Sequence, residues 1–451
     1  MRTLSSQGED WVGSSITSRQ DQEASMPSTH GIHSTTFDNG LQVLVEPNSS
    51  VASASMTWLI PAGTSTDRMQ GSEHGCSVLL SEMLLRGAGG LSSRQLSDAF
   101  DRLGLQRSCE PSVHHVRIGM TGLGTRLIDG LPLAVSMARD PLLDPSTIEP
   151  ARSLCLQSIR SLADEPQQQV LHELARIQRP SPLNRSGLGT IDGLNSLSID
   201  DLRASHQRNF GPRGSIIVIA GAVDPDRIVQ RLSELLDDWD CPDPDVVPET
   251  PALGGTSHLQ QESAQLHIGL GLRGLKQSDP RSVAHRVAIR MLGSGASSRL
   301  FTEVRERRGL CYSVWASSSN GRDRGDVTIY AGSTPERAQE TLDCLQDQLA
   351  GVRDGFSSDE YSRAIVGIKS RIVMQGESSS ARAASLAGDV FRTGKGRSLQ
   401  EITSEYDRLD LEQVNTLAAD DLGDQWLQER ILVTAGSREL DVTGDAQVTR
   451  S

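Results

Sequence analysis

Side chains that could ligate a metal ion or activate water are sparse in this chain of 451 residues. His74 and Glu82 stand eight positions apart in a helical pattern, which separates them by about 80° around the helix. His114 and His115 are adjacent on a predicted strand, so their side chains are expected to point to opposite faces. Because zinc needs three or four converging ligands, neither pair by itself predicts a metal centre.

A glycine-rich segment, GSGASS at 293–298, could in principle cradle a phosphate group. It lacks the lysine that a P-loop uses to reach the phosphates. The segment leads directly into a predicted helix over 299–308. We therefore interpret it as the entry to that helix.

The element expected to carry chemistry in the first half is a helix over 73–86. Apolar residues recur at helical spacing from Cys76 to Leu84, which predicts an amphipathic helix. Ser72 has the residue type of a helix cap, and Gly87 is expected to end the helix.

A second helix follows at 93–103. Ser92 and Gln95 have the spacing of a capping box, and Leu96 and Phe100 line one face of the helix. Gly104 is expected to end it.

This helix–turn–helix segment resembles the signature of the M16 metallopeptidases, the family of insulinase, pitrilysin and the mitochondrial processing peptidases. The family pattern is G-x-A-H-F-L-E-H-M-x-F-K-G-T, and residues 75–88 read GCSVLLSEMLLRGA. The strand, hairpin, strand and P-A-G-T run at 36–64 also resembles the start of an M16 domain. The resemblance extends over about residues 33–440.

The resemblance implies a degenerate zinc site in this chain. With the run MLLRG aligned, the two zinc histidines of the family fall on Val78 and Glu82, and its catalytic glutamate falls on Ser81. The third family ligand, a glutamate, falls on Ser158 or, with a shift of one position, on Gln157. Val78 has no lone pair to donate, and Ser81 is no general base near neutral pH.

A second M16-like motif lies at 293–314, GSGASSRLFTEVRERRGLCYSV. It resembles the family pattern G-x-x-S-R-L-F-x-x-V-R-E-x-x-G-L-x-Y-S-V. In the family this segment supplies an arginine and a tyrosine that bind the substrate backbone, and these roles fall on Arg305 and Tyr312. Both side chains can donate hydrogen bonds to peptide carbonyls. Without the motif, Arg305 would be read as a solvated surface charge and Tyr312 as a strand-packing residue.

Composition and charge exclude several classes of protein. The formal net charge of −14 argues against general binding of nucleic acid, which depends on basic surfaces. No apolar run approaches the ~20 residues of a membrane-spanning helix. Six scattered cysteines without C-x-x-C spacing favour a reducing, cytoplasmic location.

The predicted fold is an α+β tandem repeat of two M16-type domains, each an antiparallel sheet covered by helices. The predicted organisation is a disordered tail at 1–32, a first domain at 33–239, a proline-rich linker at 240–256, a second domain at 257–440 and a tail at 441–451.

The resemblance implies an M16 subunit that is inactive alone and that forms a heterodimer with a subunit bearing H-x-x-E-H. Zinc is then expected in the partner and no cofactor in this chain, whose Arg305 and Tyr312 would bind a peptide substrate. Two alternatives stay open: a structural M16-like subunit that handles no peptide, and an active peptidase with an atypical metal site.

Overall fold

Two β-sheets form the frame of the protein, which is described here as a computed structural model. The structure describes residues 31–68, 74–240, 247–422, 426 and 428–441. The first half contains β1 (His33–Thr36), β2 (Gln42–Pro47), β3 (Ser53–Ile60), α1 (Cys76–Leu84), β4 (Gly87–Ala88), β5 (Leu91–Ser92), α2 (Ser93–Leu103), β6 (Gln106–Pro111), β7 (Val116–Leu123), α3 (Gly124–Arg139), α4 (Ile148–Leu162), α5 (Pro166–Gln178), α6 (Ile191–Ser196), α7 (Ile199–Asn209), β8 (Ile216–Gly221) and α8 (Pro225–Leu236). The second half contains β9 (Thr256–Gln260), β10 (Leu266–Gly274), α9 (Ser282–Gly293), a π-helical segment (Phe301–Arg307), β11 (Cys311–Asn320), β12 (Gly325–Ser333), α10 (Ala338–Ala350), α11 (Ser358–Gly376), α12 (Ser379–Thr393), α13 (Leu399–Asp407), α14 (Leu411–Leu417) and β13 (Ile431–Gly436).

The two sheets share one topology. The first has the strand order β1-β2-β8-β3-β7-β6, and the second has the order β11-β12-β10-β13-β9. We match β9, β10, β11, β12 and β13 in turn with β2, β3, β6, β7 and β8. The second order then equals the first order read in reverse, and β1 is an additional strand of the first sheet. The predicted tandem α+β repeat is therefore confirmed.

Each sheet contains one parallel pair, β2 with β8 and β13 with β9. The other pairs are antiparallel, as predicted. The parallel pairs arise because the last strand of each half returns, after several helices, beside the first strand of that half.

The two halves exchange helices. Helix α5 of the first half packs Val170, Leu174 and Ile177 on β13 of the second sheet. Helix α12 of the second half packs in the same way on β2 and β8 of the first sheet. A Cβ atom added at Gly269 on β10 would lie 2.5 Å from Val170 Cγ1, so this glycine permits the close approach of α5. Helix α12 is not among the elements that the sequence patterns predict.

A buried ion pair accompanies this exchange. Arg382 on α12 donates to Glu46 on β2, at 3.0 Å for the Nη2–Oε1 bond, and both side chains are at most 5% exposed. The same guanidinium donates to the carbonyl oxygen of Arg397 at 2.7 Å. Loss of one partner of such a pair leaves a buried charge uncompensated.

The helix predicted over 73–86 is shorter in the structure, because α1 runs only from Cys76 to Leu84. Gly75 is its N-cap, and the predicted cap, Ser72, lies outside the described residues. Gly87 does not end the helix. It lies in β4 with φ +131°, a conformation that favours glycine.

The helix predicted at 93–103 is confirmed as α2. Ser92 and Gln95 form the capping box, and Gly104 is a left-handed C-cap with φ +66°. The predicted tails at 1–32 and 441–451 fall largely outside the described residues, and so do residues 241–246 of the linker predicted at 240–256. The domain boundaries stay predictions. No helix in the part of the chain that the structure describes is long and apolar enough to cross a membrane.

The predicted placement of His114 and His115 on a strand is wrong. Both residues lie in the turn between β6 and β7, because β7 begins only at Val116. Their rings pack on one side chain, Phe391 of α12, with ring centroids 5.0 and 4.4 Å from it. Burial, reinforced by the charges of His114 and Arg322, lowers the pKa of His115 to about 3. Both rings therefore serve the contact between the halves.

Candidate functional site

The N-terminal end of α1 is held by a buried carboxylate. Asp67 accepts hydrogen bonds from the backbone N–H groups of Gly75, at 3.1 Å, and Ser77, at 2.9 Å. Burial raises the pKa of Asp67 to about 6, although the bonds from Ser77 and Gly75 and the charge of Arg185 favour the ionised form. A carboxylate at this end of a helix also interacts favourably with the helix dipole.

Two more buried polar residues surround this end of α1. Arg185 donates to the backbone oxygens of Thr64 and Asp67 at 2.9 and 2.7 Å. His74 is buried with its Nδ1 unpartnered among the described residues. Burial, followed by the charge of Arg185, lowers the pKa of His74 to about 4. His74 is thus a neutral residue before the first turn of α1, whereas Glu82 lies in the last turn.

The face of α1 that would carry the zinc ligands holds other chemistry. Val78 is buried in the apolar core. The buried Ser81 hydroxyl donates to the carbonyl oxygen of Ser77 at 2.7 Å, so it is engaged within the helix. Glu82 is half-buried and pairs with Arg86 at 3.8 Å.

Helix α4, which carries Ser158 and Gln157, packs against α1. Ser158 is exposed and donates to the carbonyl oxygen of Leu154 at 3.2 Å, and Gln157 is exposed as well. Cys155 is the buried residue of this helix turn. Burial raises the pKa of its thiol to about 11, and the nearby charge of Glu82 raises it further. The spacing of Ala151 and Cys155, one helical turn apart, is the sequence signal that marks this face.

We call the face of α1 that carries Val78, Ser81 and Glu82 the degenerate face. Cys109 on β6 also lies beside it. Burial raises the pKa of its thiol to about 12, although a hydrogen bond with Ser81 favours the thiolate. Both cysteines near Glu82 are therefore protonated at neutral pH and are poor metal ligands.

The residues present on α1 and α4 do not fit a zinc ion. Val78 offers no donor atom, Ser81 is committed to the helix backbone, and Glu82 is the one carboxylate of the three positions. Across the described residues, no three His, Cys, Asp or Glu side chains are grouped so that they could hold a metal ion.

Arg305 lies on the exposed side of the π-helical segment Phe301–Arg307. Its guanidinium stacks over the ring of Phe301, 4.7 Å from the centroid. The segment holds two carboxylates, Glu303 and Glu306, and Glu303 pairs with Arg307 at 2.7 Å. Within the described residues no carboxylate pairs with Arg305, so its donors face solvent.

Tyr312 is the second residue of β11, an edge strand of the second sheet. Its side chain is 62% exposed. The pairing of β11 with β12 is irregular between Cys311 and Ser313, and Tyr312 is the extra residue of this bulge. A bulge of this kind redirects one side chain out of the regular alternation.

The π-helical segment that carries Arg305 packs against β11, which carries Tyr312. Burial raises the pKa of the intervening Cys311 thiol to about 11, and the charge of Arg305 acts against this rise. Arg305 is therefore within electrostatic range of the residue next to Tyr312. Together they present a guanidinium and a phenol beside the start of an exposed strand edge.

Within the described residues, the first sheet also ends in an unpaired edge strand beside the degenerate face. β6 is the last strand of that sheet and packs against α1. Backbone groups at a free edge can pair with an extended peptide.

Comparisons with known proteins show which proteins this chain is similar to. Residues 196–367 match the family described as Peptidase M16 inactive domain. An uncharacterized zinc protease of Streptomyces coelicolor is 28% identical over 415 residues, which cover 87% of this chain and 88% of that protein. A second one, from Bacillus subtilis, is 27% identical over 391 residues, covering 85% and 94%.

Solved structures share the fold. The peptidase M16 inactive domain from Pseudomonas fluorescens has a TM-score of 0.79 at 19% identity, covering 91% of this chain and 99% of that one. A protease from Helicobacter pylori has a TM-score of 0.80 at 17% identity, covering 90% and 99%. The fold is thus that of M16-like peptidases. Residues 196–367 match the inactive-type M16 domain, and most of the chain is similar in sequence to the two zinc proteases.

Proposed function

We propose that this chain is the peptide-binding, non-catalytic subunit of a two-subunit M16 zinc peptidase. The observation that carries the proposal is the exposure of Arg305 and Tyr312, whose donors meet solvent at an edge strand of the second sheet. The degenerate face around Val78, Ser81 and Glu82 supports it, because a chain without metal ligands needs a partner to cleave a peptide bond.

Peptide carbonyls are the acceptors that suit this pair. A guanidinium offers several N–H donors in a planar fork, and a phenol offers one O–H donor. An extended peptide beside β6 or β11 would add backbone hydrogen bonds to those from the two side chains. The partner would supply zinc and the residues that activate water.

A structural subunit without peptide contacts is the competing hypothesis. A chain of complex III2 from Candida albicans shares the fold with a TM-score of 0.77 at 17% identity. Under that hypothesis, Arg305 and Tyr312 would be dispensable for cleavage by an assembled complex.

Co-expression with an M16 chain that bears H-x-x-E-H tests the proposal. A tagged form of this chain is expected to recover that partner, and the complex is expected to cleave extended peptides that this chain alone leaves intact. Replacing the partner's motif glutamate by glutamine should abolish cleavage without loss of the complex. A chain that stays monomeric beside every such partner from its own genome would overturn the proposal.

A further inference from the structure

A cavity of about 320 Å³ lies among α9, β11, α11, α12 and α13. It shares no lining residue with the Arg305–Tyr312 surface. Six arginines line it: Arg286, Arg290, Arg371, Arg382, Arg392 and Arg397. Asp389 is the carboxylate of the lining, and two further carboxylates, Glu46 and Glu405, pair with these arginines. Six guanidinium groups against three carboxylates leave an excess of three positive charges, in a chain whose formal net charge is −14.

Two of these arginines hold buried donors that the protein does not use. The Arg382 side chain is 5% exposed and binds Glu46 through Nε and Nη2, but its Nη1 has no partner among the described residues. The same holds for Nε of Arg286, although its Nη1 donates to Gln277 at 2.9 Å. A buried donor without an acceptor is costly, so each marks a position where an acceptor atom is missing.

Two other arginines line the same cavity without a counter-ion among the described residues. Neither Arg290 on α9 nor Arg371 on α11 forms an ion pair within the part of the chain that the structure describes. Burial lowers the pKa of Arg290, and the like charge of Arg371 lowers it further. Two like charges at close range repel each other, and an anion between them turns this repulsion into attraction.

We propose that this cavity binds a compact anion that carries a phosphate group. Arginine forks pair with phosphate oxygens through two parallel hydrogen bonds, and the excess of three charges suits a doubly charged phosphate better than a single carboxylate. Ser317 and Ser318 also line the cavity, and a serine hydroxyl that faces it can donate to a phosphate oxygen. The cavity volume lies at the small end of the range of ligand-pocket volumes, which suits inorganic phosphate or a short phosphomonoester. This inference does not depend on the proposed peptide-binding role.

Calorimetric titration of the full chain tests the site, with inorganic phosphate and glycerol 3-phosphate as probes at constant ionic strength in chloride. Saturable binding of one anion per chain is expected. Tighter binding of inorganic phosphate identifies free phosphate as the ligand. Tighter binding of glycerol 3-phosphate identifies a phosphomonoester. Arg290→Gln and Arg371→Gln should each weaken binding about 10-fold or more, since each removes a charged donor.

Arg363→Gln is the matched control. Arg363 is an exposed arginine on the same helix as Arg371, and it lines a different surface depression together with Glu360. Its replacement removes the same charge and is expected to leave anion binding unchanged. Equal weakening by Arg363→Gln and Arg371→Gln would overturn the proposal, as would a wild-type chain that binds neither probe saturably.

Thermal unfolding supplies a second readout that does not require tight binding. The wild-type chain should unfold at a higher temperature in phosphate than in chloride, because a ligand of the native state stabilises it. Arg371→Gln should lose this gain. In chloride it should unfold no earlier than the wild type, because it relieves the repulsion with Arg290. An undiminished gain in Arg371→Gln would contradict the site.

Discussion

Removal of one hydroxyl group at Tyr312 separates a role in catalysis from a role in folding. The Tyr312 side chain is 62% exposed, and its hydroxyl is not hydrogen-bonded to any of the described residues. Tyr312→Phe therefore leaves the packing of β11 in place, and its effect on the free energy of unfolding should stay within about 0.5 kcal/mol. Any large effect on cleavage must then come from a lost contact with the substrate.

The expected size of that effect follows from the chemistry of the contact. If the phenol donates to the scissile carbonyl, its hydrogen bond strengthens as negative charge develops on the oxygen. Loss of one such donor typically lowers turnover by ~10²–10³-fold. Arg305→Ala should raise KM as well as lower kcat, because a charged fork also binds the ground state.

Steady-state kinetics on the reconstituted complex measures these effects, with size-exclusion chromatography and zinc content as checks on assembly. Arg308→Ala is the control, since Arg308 is an exposed arginine just after the same π-helical segment. It should cleave like the wild type. Wild-type kinetics from both Tyr312→Phe and Arg305→Ala would refute the peptide-binding role and favour a structural subunit.

Two further predictions concern stability. Arg382→Met should lower the free energy of unfolding by about 3–5 kcal/mol, measured by urea denaturation, because it leaves Glu46 buried without a counter-ion; an unchanged midpoint would contradict the importance of this ion pair. Stability should also rise as the pH rises from about 4.5 to 6.5 and then level off. Burial lowers the pKa of His74 to about 4, of His115 to about 3 and of His285 to about 4, so the unfolded chain binds more protons in this range. Asp67, with its pKa raised to about 6, binds its proton in the native state and only partly offsets the three histidines. His285→Phe should give a shallower profile, and a wild-type profile that is flat or falls with pH would refute the reasoning.

The tandem repeat could be predicted from the sequence because the signals for its helices and strands are local. The alternation of apolar residues, the capping box of Ser92 and Gln95 and the left-handed Gly104 each depend on a few neighbouring residues. The motif that assigns roles to Arg305 and Tyr312 is also local, since it lies within residues 293–314. That they act on a peptide stays a prediction.

The features that the sequence did not predict depend on contacts between residues that are far apart in the chain. Nothing near Leu386 in the chain indicates that α12 covers the first sheet rather than the second. The apolar pattern of β7 extends into His114 and His115 and so predicts a strand there, but Phe391 of α12 packs against both rings in the preceding turn. The burial of Cys155 also depends on distant contacts, since the packing of α4 on α1 decides which face of α4 is buried.

Zinc content, measured by elemental analysis on this chain alone and on its purified complex, tests the central claim most directly. The chain alone is expected to hold no stoichiometric zinc, because Val78, Ser81, Glu82 and Ser158 replace every ligand and base of the family pattern. The complex is expected to hold one zinc per heterodimer, and this zinc should disappear when the partner's H-x-x-E-H histidines are replaced. About one tightly held zinc in the chain alone, lost in Glu82→Ala, would contradict the account.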